Sequence, residues 1–312
     1  MKKIFRYMML AGFLFCLGCN DWLDVNPKTE SREEVQYSTE SGFKDVLTGV
    51  YIQLASENLY GKQMTMNFTE LLAQHWATTA FDASAEHYIR TYDFTQSKAE
   101  TVNTTIWKQY FEAIANLNNL LVRLEDKKEI LSPVNYKLLK GEALGLRAFV
   151  YFDLLRLYGP IYDIQAGPSS LSLPYRTEFN REEKSFSTAE EVIGFILRDI
   201  EAAEALLVKD PMYIEFPSGF TTETLGLDDF LRYRFKRMNQ YAVKALAARV
   251  YLWKGDKENA ARMAKAVIDG KDKEGNNYFA LVMDNSTDRI FSTELLFSIS
   301  VPDFDDQVEV DF

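Results

Sequence analysis

The chain has 312 residues, of which 47% are hydrophobic and 14% aromatic, and it carries a formal net charge of −11 at pH 7. The hydrophobic content excludes wholesale disorder and is enough for one large core or two smaller ones, and the negative charge argues against nucleic acid as a partner. Because the two cysteines, Cys16 and Cys19, lie near the N-terminus, packing must stabilise the rest of the chain.

Residues 1–18 have the pattern of a bacterial secretory signal. Lys2, Lys3 and Arg6 give a basic start, and the apolar stretch 7–17 that follows is too short to span a bilayer. No later segment approaches eighteen consecutive apolar residues, so the sequence predicts no membrane-spanning helix. Residues 1–18 are therefore excluded from the predicted fold.

The sequence Cys-Leu-Gly-Cys at 16–19 resembles a lipoprotein box, in which an invariant cysteine is acylated and becomes the mature N-terminus. Each buried acyl CH₂ contributes about 0.8 kcal/mol, so two or three chains would hold the protein on a membrane. This motif predicts lipidation at Cys19, followed by an extended tether over 19–30. The alternative is an ordinary signal peptide in which a cysteine occupies this position by chance.

Apolar residues at helical spacing predict several helices in the first half of the chain. The stretch 31–34 fits a capping box, and a second helix is predicted to begin near Thr39 and to end near Ser56. Residues 57–104 are predicted to be largely an exposed loop that contains a short helix over 68–76. Two further apolar stripes, at 106–124 and 139–157, predict helices that are separated at Ser132-Pro133 and stopped by Gly159-Pro160.

The second half alternates irregular stretches with helices. Residues 159–186 and 209–236 have the composition of loops, and a capping box at 187–190 predicts a helix with an apolar stripe from 192 to 207. Two helices with alanines on their facing sides are predicted over 238–270, joined by a turn at Gly255-Asp256. The β-branched and aromatic run 291–301 predicts one or two short strands.

These elements predict a mainly α fold, made of tetratricopeptide-like helical hairpins with long inserted loops and a little β structure near the C-terminus. The spacing of the hairpins is too irregular for a plain repeat solenoid. The predicted organisation is a lipoprotein signal peptide over 1–18, a lipid-anchored tether over 19–30, and one helical domain over 31–312.

Six motifs in a fixed order resemble those of the SusD/RagB family of outer-membrane nutrient-uptake lipoproteins of Bacteroidetes. The motifs are 19–24 with Pro27; Trp107, Tyr110, Ile114 and Asn118; 141–148 with Tyr151, followed by 157–160; 173–178; 187–191 with Asp199; and 247–252 with Gly255 and Asp256. The resemblance covers the mature chain but only the first half to three-fifths of a usual family member, so the family's C-terminal region is expected to be missing.

The resemblance implies a function. It implies a lipid-anchored protein of the outer membrane, exposed at the cell surface, that captures a glycan or peptide and passes it to a TonB-dependent SusC-type barrel. The sequence itself predicts no catalysis and no cofactor or metal, because it contains only two histidines, no nucleophile elbow, no phosphate-binding loop and no cluster of metal ligands. The alternatives are a tetratricopeptide scaffold of the cell envelope that captures nothing, or a truncated, inactive family member.

Candidate ligand-binding residues lie in and beside the first irregular stretch. Trp76, Tyr88 and Tyr92 offer aromatic rings that could stack on the apolar face of a sugar, and Asp82 and His87 offer polar groups for its hydroxyls. The alternative is that Trp76 and Tyr92 anchor the loop to the core and that at most one of these residues touches ligand.

Arg147 and the acidic stretch 303–311 are predicted to have structural roles. Arg147 could be an anion clamp, but its place within a helix motif favours an interior pairing with a carboxylate of a neighbouring helix. The acidic stretch 303–311 lacks the spacing of a calcium loop and is predicted to be a solvated charge run.

Overall fold

A computed structural model describes residues 28–77, 83–163, 165–210, 229–231, 234–271, 275–283, 286, 288–289, 291–302 and 304. Cys19, the signal sequence over 1–18 and the acidic stretch beyond 304 lie outside these residues, and so does Asp82. None of the helices in the described part of the chain is long and apolar enough to cross a membrane.

The fold is mainly α, as predicted. Its helices are α1 (Lys28–Gln36), α2 (Glu40–Leu54), α3 (Phe68–Leu72), α4 (Ala85–Arg90), α5 (Ser97–Asp126), α6 (Pro133–Tyr158), α7 (Ala189–Leu207), α8 (Gln240–Lys254) and α9 (Lys257–Ile268). Short 3₁₀ turns occur at Lys128–Ile130, Asp229–Leu231, Arg234–Lys236 and Ser292–Glu294, and strands β1 (Leu171–Leu173) and β2 (Ser187–Thr188) form one antiparallel pair.

Several helix boundaries match the predicted signals. Thr39 caps α2 by accepting a hydrogen bond from the Gly42 amide, and Ser132 caps α6 in the same way through the Asn135 amide. Helix α6 ends at the residue before Gly159, as predicted. Side-chain caps of this kind satisfy amides that a helix leaves unpaired at its start, so they fix where each helix begins.

Two predicted capping boxes are displaced. Helix α1 already begins at Lys28, so the 31–34 motif lies inside it. The second box is shifted by one residue: Thr188 caps α7 through the Glu191 amide, and the Glu191 carboxylate accepts from the Thr188 amide at 2.8 Å. The shift has a structural cause, because Ser187 pairs with Leu173 in the sheet and α7 can begin only after it.

The β structure lies elsewhere than predicted. Strand β1 lies inside the stretch 159–186 that was predicted to be a loop, and β2 directly follows it. The described part of 291–301 contains a 3₁₀ turn at Ser292–Glu294 and no strand. Phe291 has a left-handed φ of 53°, which interrupts an extended run at its start. Phe297 and Ile299 instead pack on the helical core, in a segment that pairs with no strand of the described chain.

Helix α6 occupies the centre of the fold, packed against α5 and most extensively against α7. Glycines permit the close approach of its neighbours. A Cβ atom at Gly141 would lie 2.6 Å from Cγ of Leu207 in α7, and one at Gly145 would lie 2.5 Å from Cγ of Met238, just before α8. Any larger side chain at these positions would push the neighbouring residues away.

Helices α8 and α9 form the predicted hairpin. Gly255 ends α8 in a left-handed conformation, with φ 84°, and Asp256 caps α9 through the Asn259 amide. Ala260 of α9 is buried in the hairpin, as expected for closely packed helices. Ile268, the last residue of α9, is 66% exposed, because the neighbouring Val267 is the residue that packs on Tyr241.

Arg147 makes an interior ion pair, which confirms the structural interpretation of this residue. Its Nε and Nη2 donate to the two carboxylate oxygens of Asp199 in α7, each at 2.7 Å, and its Nη1 donates to Asn118 Oδ1 at 2.8 Å. The Tyr175 hydroxyl also donates to Asp199, at 2.6 Å. These bonds join α5, α6 and α7 to the segment that follows β1.

A second buried cluster surrounds Arg234. Its Nε donates to Asp210 Oδ2 at 2.8 Å, and its Nη1 donates to Glu142 of α6. The Tyr51 hydroxyl of α2 donates to the other oxygen of Glu142 at 2.9 Å. Because Arg234, Glu142 and Asp210 are almost completely buried, water cannot compensate their charges, and the cluster depends on its own ion pairs, with Arg237 3.4 Å from Glu142 as a further cation.

Candidate functional site

Helices α3 and α4 form one unit that carries the candidate ligand residues. Phe68 and Leu71 anchor α3 in the core, and Ile89 anchors α4. Ser84 caps α4 by accepting a hydrogen bond from the His87 amide at 3.2 Å. Both helices are short and contact each other, and α4 also contacts α5, so the loops that follow them rest on a fixed base.

Three hydrogen bonds hold the segments after these helices side by side. The Tyr92 hydroxyl donates to the Leu72 carbonyl at 2.6 Å, Arg90 Nε donates to the Trp76 carbonyl at 3.0 Å, and Gln74 Nε2 donates to the Arg90 carbonyl at 2.6 Å. They bond the chain at 72–76 to the chain at 90–92. We call this unit the aromatic platform, after Trp76 and Tyr92.

Gln74 and Tyr92 both adopt left-handed backbone conformations, with φ of 62° and 58°. Such conformations are uncommon outside glycine and cost free energy that the surrounding structure must offset. In the platform, both residues also contribute side-chain hydrogen bonds across it. The turns that these conformations create are therefore held by the same residues that adopt them.

The platform exposes its two aromatic side chains, since Trp76 is 40% exposed and Tyr92 58% exposed. Tyr92 thus partly fits the alternative interpretation, because its hydroxyl anchors the loop while its ring remains exposed. Tyr88 is half-buried and packs on the core, and the His87 ring lies edge-on to it, with ring centroids 5.6 Å apart. The structure therefore joins Trp76 to Tyr92 in one unit and leaves Tyr88 less accessible.

Polar groups border the platform, and sequence reasoning missed them. His75 Nδ1 lies 2.7 Å from a carboxylate oxygen of Glu70, and the side chains of Thr95 and Gln96 donate hydrogen bonds to Asp93. Those hydrogen bonds lower the pKa of Asp93 below its usual value, so it is a carboxylate near neutral pH. The bonds of Gln74 to Arg90 and of Thr95 and Gln96 to Asp93 follow no helical or strand periodicity, so no sequence signal identified these pairings.

This arrangement suits binding of a neutral, partly apolar molecule. Exposed aromatic rings supply flat apolar contact, and the surrounding amide, imidazole and carboxylate groups can exchange hydrogen bonds with hydroxyl groups.

A model of a known protein family matches most of this chain. A SusD-like family model, described as "Starch-binding associating with outer membrane", matches residues 21–219. The chain belongs to the SusD-like family. The match includes α1 to α7 and the aromatic platform, so the platform is part of the SusD-like portion of the chain.

Several known proteins are similar to this chain in sequence or in fold. SusD-like protein P2 of Formosa agariphila is 24% identical over 87% of this chain and 47% of its own length. Among solved structures, a SusD superfamily protein of Bacteroides fragilis aligns with a TM-score of 0.62 and 21% identity, over 85% of this chain and 56% of its own. B. fragilis NanU aligns with a TM-score of 0.61 and 21% identity, over 90% of this chain and 51% of its own.

The SusD-like chain described here spans about half the length of these relatives. At these identities, the structural similarities establish a shared fold.

Proposed function

We propose that this protein is a surface-exposed, lipid-anchored binding protein that captures a glycan or peptide and passes it to a TonB-dependent, SusC-type transporter of the outer membrane. Membership of the SusD-like family supports this proposal, as do the lipoprotein box at Cys19 and the absence of catalytic motifs in the sequence. A glycan is the better-supported ligand, because the family description names starch binding.

The observation that carries the proposal is the pair of exposed rings on the aromatic platform. Exposed Trp and Tyr rings give flat apolar contact to a ligand, and here both rings sit on chain segments fixed by hydrogen bonds. Fixing the segments before the ligand arrives reduces the entropy lost on binding. A sugar ring can place its apolar face on either aromatic side chain while its hydroxyls reach the surrounding polar groups.

Ligand binding is tested by affinity electrophoresis of the full chain in gels containing soluble starch, xylan, laminarin or pectin. We expect at least one polysaccharide to retard the protein, and both Trp76→Ala and Tyr92→Ala to weaken that interaction about tenfold, equivalent to roughly 1.4 kcal/mol of lost stacking. Tyr92→Phe keeps the ring but removes the bond to Leu72, so it separates stacking from anchoring.

The matched control is Phe179→Ala, because Phe179 is 52% exposed and lies outside the platform. It should leave retardation unchanged. If each polysaccharide that retards the parent protein retards the platform variants equally, the platform is not the binding site. If the parent protein binds no polysaccharide and no peptide mixture, the envelope-scaffold interpretation replaces the proposal.

A further inference from the structure

Two exposed arginines from different helices converge beside one buried ring. The guanidinium carbons of Arg156 in α6 and Arg249 in α8 lie 5.7 Å and 5.4 Å from the centroid of Phe152. Their side chains are 44% and 47% exposed, whereas Phe152 is buried. At these distances the ring attracts each guanidinium electrostatically, and the exposure of both side chains leaves N–H groups available to a ligand. We call this feature the arginine pair.

The arginine pair shares a single acidic partner. Arg156 Nη1 lies 3.1 Å from Asp153 Oδ1, and Arg249 Nη2 lies 3.8 Å from the same oxygen. The other oxygen of Asp153 accepts a hydrogen bond from the Tyr60 hydroxyl at 2.5 Å. Burial raises the pKa of Asp153, and the Tyr60 hydrogen bond and the two arginines oppose this shift. With two cations and at most one anion, the group carries a positive charge in either protonation state of Asp153.

Arg249 has unused hydrogen-bonding capacity. Asp153 is too distant to accept a hydrogen bond from it, and no other acceptor bonds to its guanidinium among the residues that the structure describes. A guanidinium offers five N–H donors in a planar fork that matches the oxygens of a carboxylate or sulfate. The chain as a whole is strongly negative, so a positive site of this kind stands out from its surroundings.

We propose that the arginine pair binds the oxyanion of an acidic sugar, namely a carboxylate or sulfate substituent. The oxyanion would accept hydrogen bonds from Arg249 and from the free edge of Arg156, while Asp153 keeps Arg156 in place. The sugar as ligand rests on the proposed function, whereas recognition of the oxyanion rests only on the arginine pair.

The site is tested by isothermal titration calorimetry of the full chain with sodium glucuronate, glucose 6-sulfate and glucose, at one ionic strength set with sodium chloride. We expect at least one of the two anionic sugars to bind roughly tenfold more tightly than glucose, as a charge-assisted hydrogen bond warrants. Arg249→Gln should remove that preference, and Arg249→Lys should restore only part of it because a lysine lacks the planar fork.

Arg249 is the residue to change because replacing Arg156 would leave Asp153 buried with a weaker partner and risk unfolding. The matched control is Arg198→Gln. Arg198 also lies over a phenylalanine ring, 4.4 Å from the centroid of Phe195, and among the described residues no second arginine lies over that ring. This variant should keep the preference for the anionic sugar.

The outcomes separate the two proposals. A preference for glucuronate alone identifies a carboxylate site, and a preference for the sulfate alone identifies a sulfate site. Equal binding of all three sugars, or a preference that persists in folded Arg249→Gln, overturns the inference. Trp76→Ala in the same titration should keep the preference of the arginine pair for the anion, so a failure at the aromatic platform is distinguishable from a failure here.

Discussion

Arg234→Met is expected to destabilise the protein by about 3–5 kcal/mol or more, measured as the free energy of unfolding in urea followed by circular dichroism. The substitution leaves Glu142 and Asp210 buried without their shared cation. Arg237 Nη1 still lies 3.4 Å from Glu142 Oε2, but this long hydrogen bond is too weak to replace the two bonds made by Arg234. Because a domain's total stability is of order 5–15 kcal/mol, this loss is a large fraction of it.

Neutralising the two carboxylates should offset part of this loss of stability. Arg234→Met combined with Glu142→Gln and Asp210→Asn removes the stranded charges, so it should recover part of the lost stability. Lys108→Met serves as the surface control, because Lys108 is 70% exposed and pairs loosely with Glu112 at 3.7 Å. It should change the free energy of unfolding by less than about 0.5 kcal/mol. An Arg234→Met variant as stable as this control would show that the buried cluster is not needed.

Arg147→Met is expected to cost about 3–5 kcal/mol by the same measurement. Both carboxylate oxygens of Asp199 would lose a charge-assisted hydrogen bond, leaving only the hydroxyl of Tyr175. Asn118 would also lose its bond from Arg147, although its side-chain amide still donates to the Arg176 carbonyl at 3.0 Å. Helix α6 therefore loses these bonds to α5 and α7, whereas the segment after β1 keeps its own bonds to both helices.

A double variant tests whether the uncompensated charge of Asp199 causes this loss. Arg147→Met with Asp199→Leu replaces two charges by apolar side chains, and we expect it to be clearly more stable than Arg147→Met alone. The stacked ring of Tyr175, 3.9 Å from that of Tyr151, should stay in place in this double variant. If the double variant is less stable than the single one, then the loss arises from packing rather than from an uncompensated carboxylate.

Helix positions were predictable because their signals are local. Thr39, Ser132 and Gly255 each act within one turn of the backbone that they cap, so a stretch of sequence contains the necessary information. The pairing of Arg147 was also predictable, since a charged residue at a helix-packing position needs a buried partner.

The displaced features depend on contacts distant in sequence. The second capping box moved because Ser187 pairs with Leu173, and no local pattern identifies that pairing. The predicted C-terminal strand requires a neighbouring strand as well as a suitable composition, and Phe297 packs on helices instead.

The candidate site was predictable only in part. Aromatic residues in an irregular stretch indicated Trp76 and Tyr92, but the hydrogen bonds from Gln74 and Arg90 follow from the three-dimensional path of the chain. The arginine pair joins α6 to α8, nearly a hundred residues apart in sequence, so neither helix alone indicates it.

Purification of the lipidated protein from detergent-solubilised outer membrane, with mass spectrometry of the intact chain and of its companions, tests the proposed role most directly. For that role we expect an acylated Cys19 at the mature N-terminus and a stoichiometric TonB-dependent barrel that co-purifies. A protein without lipid, or one that co-purifies with envelope proteins but no barrel, would contradict it.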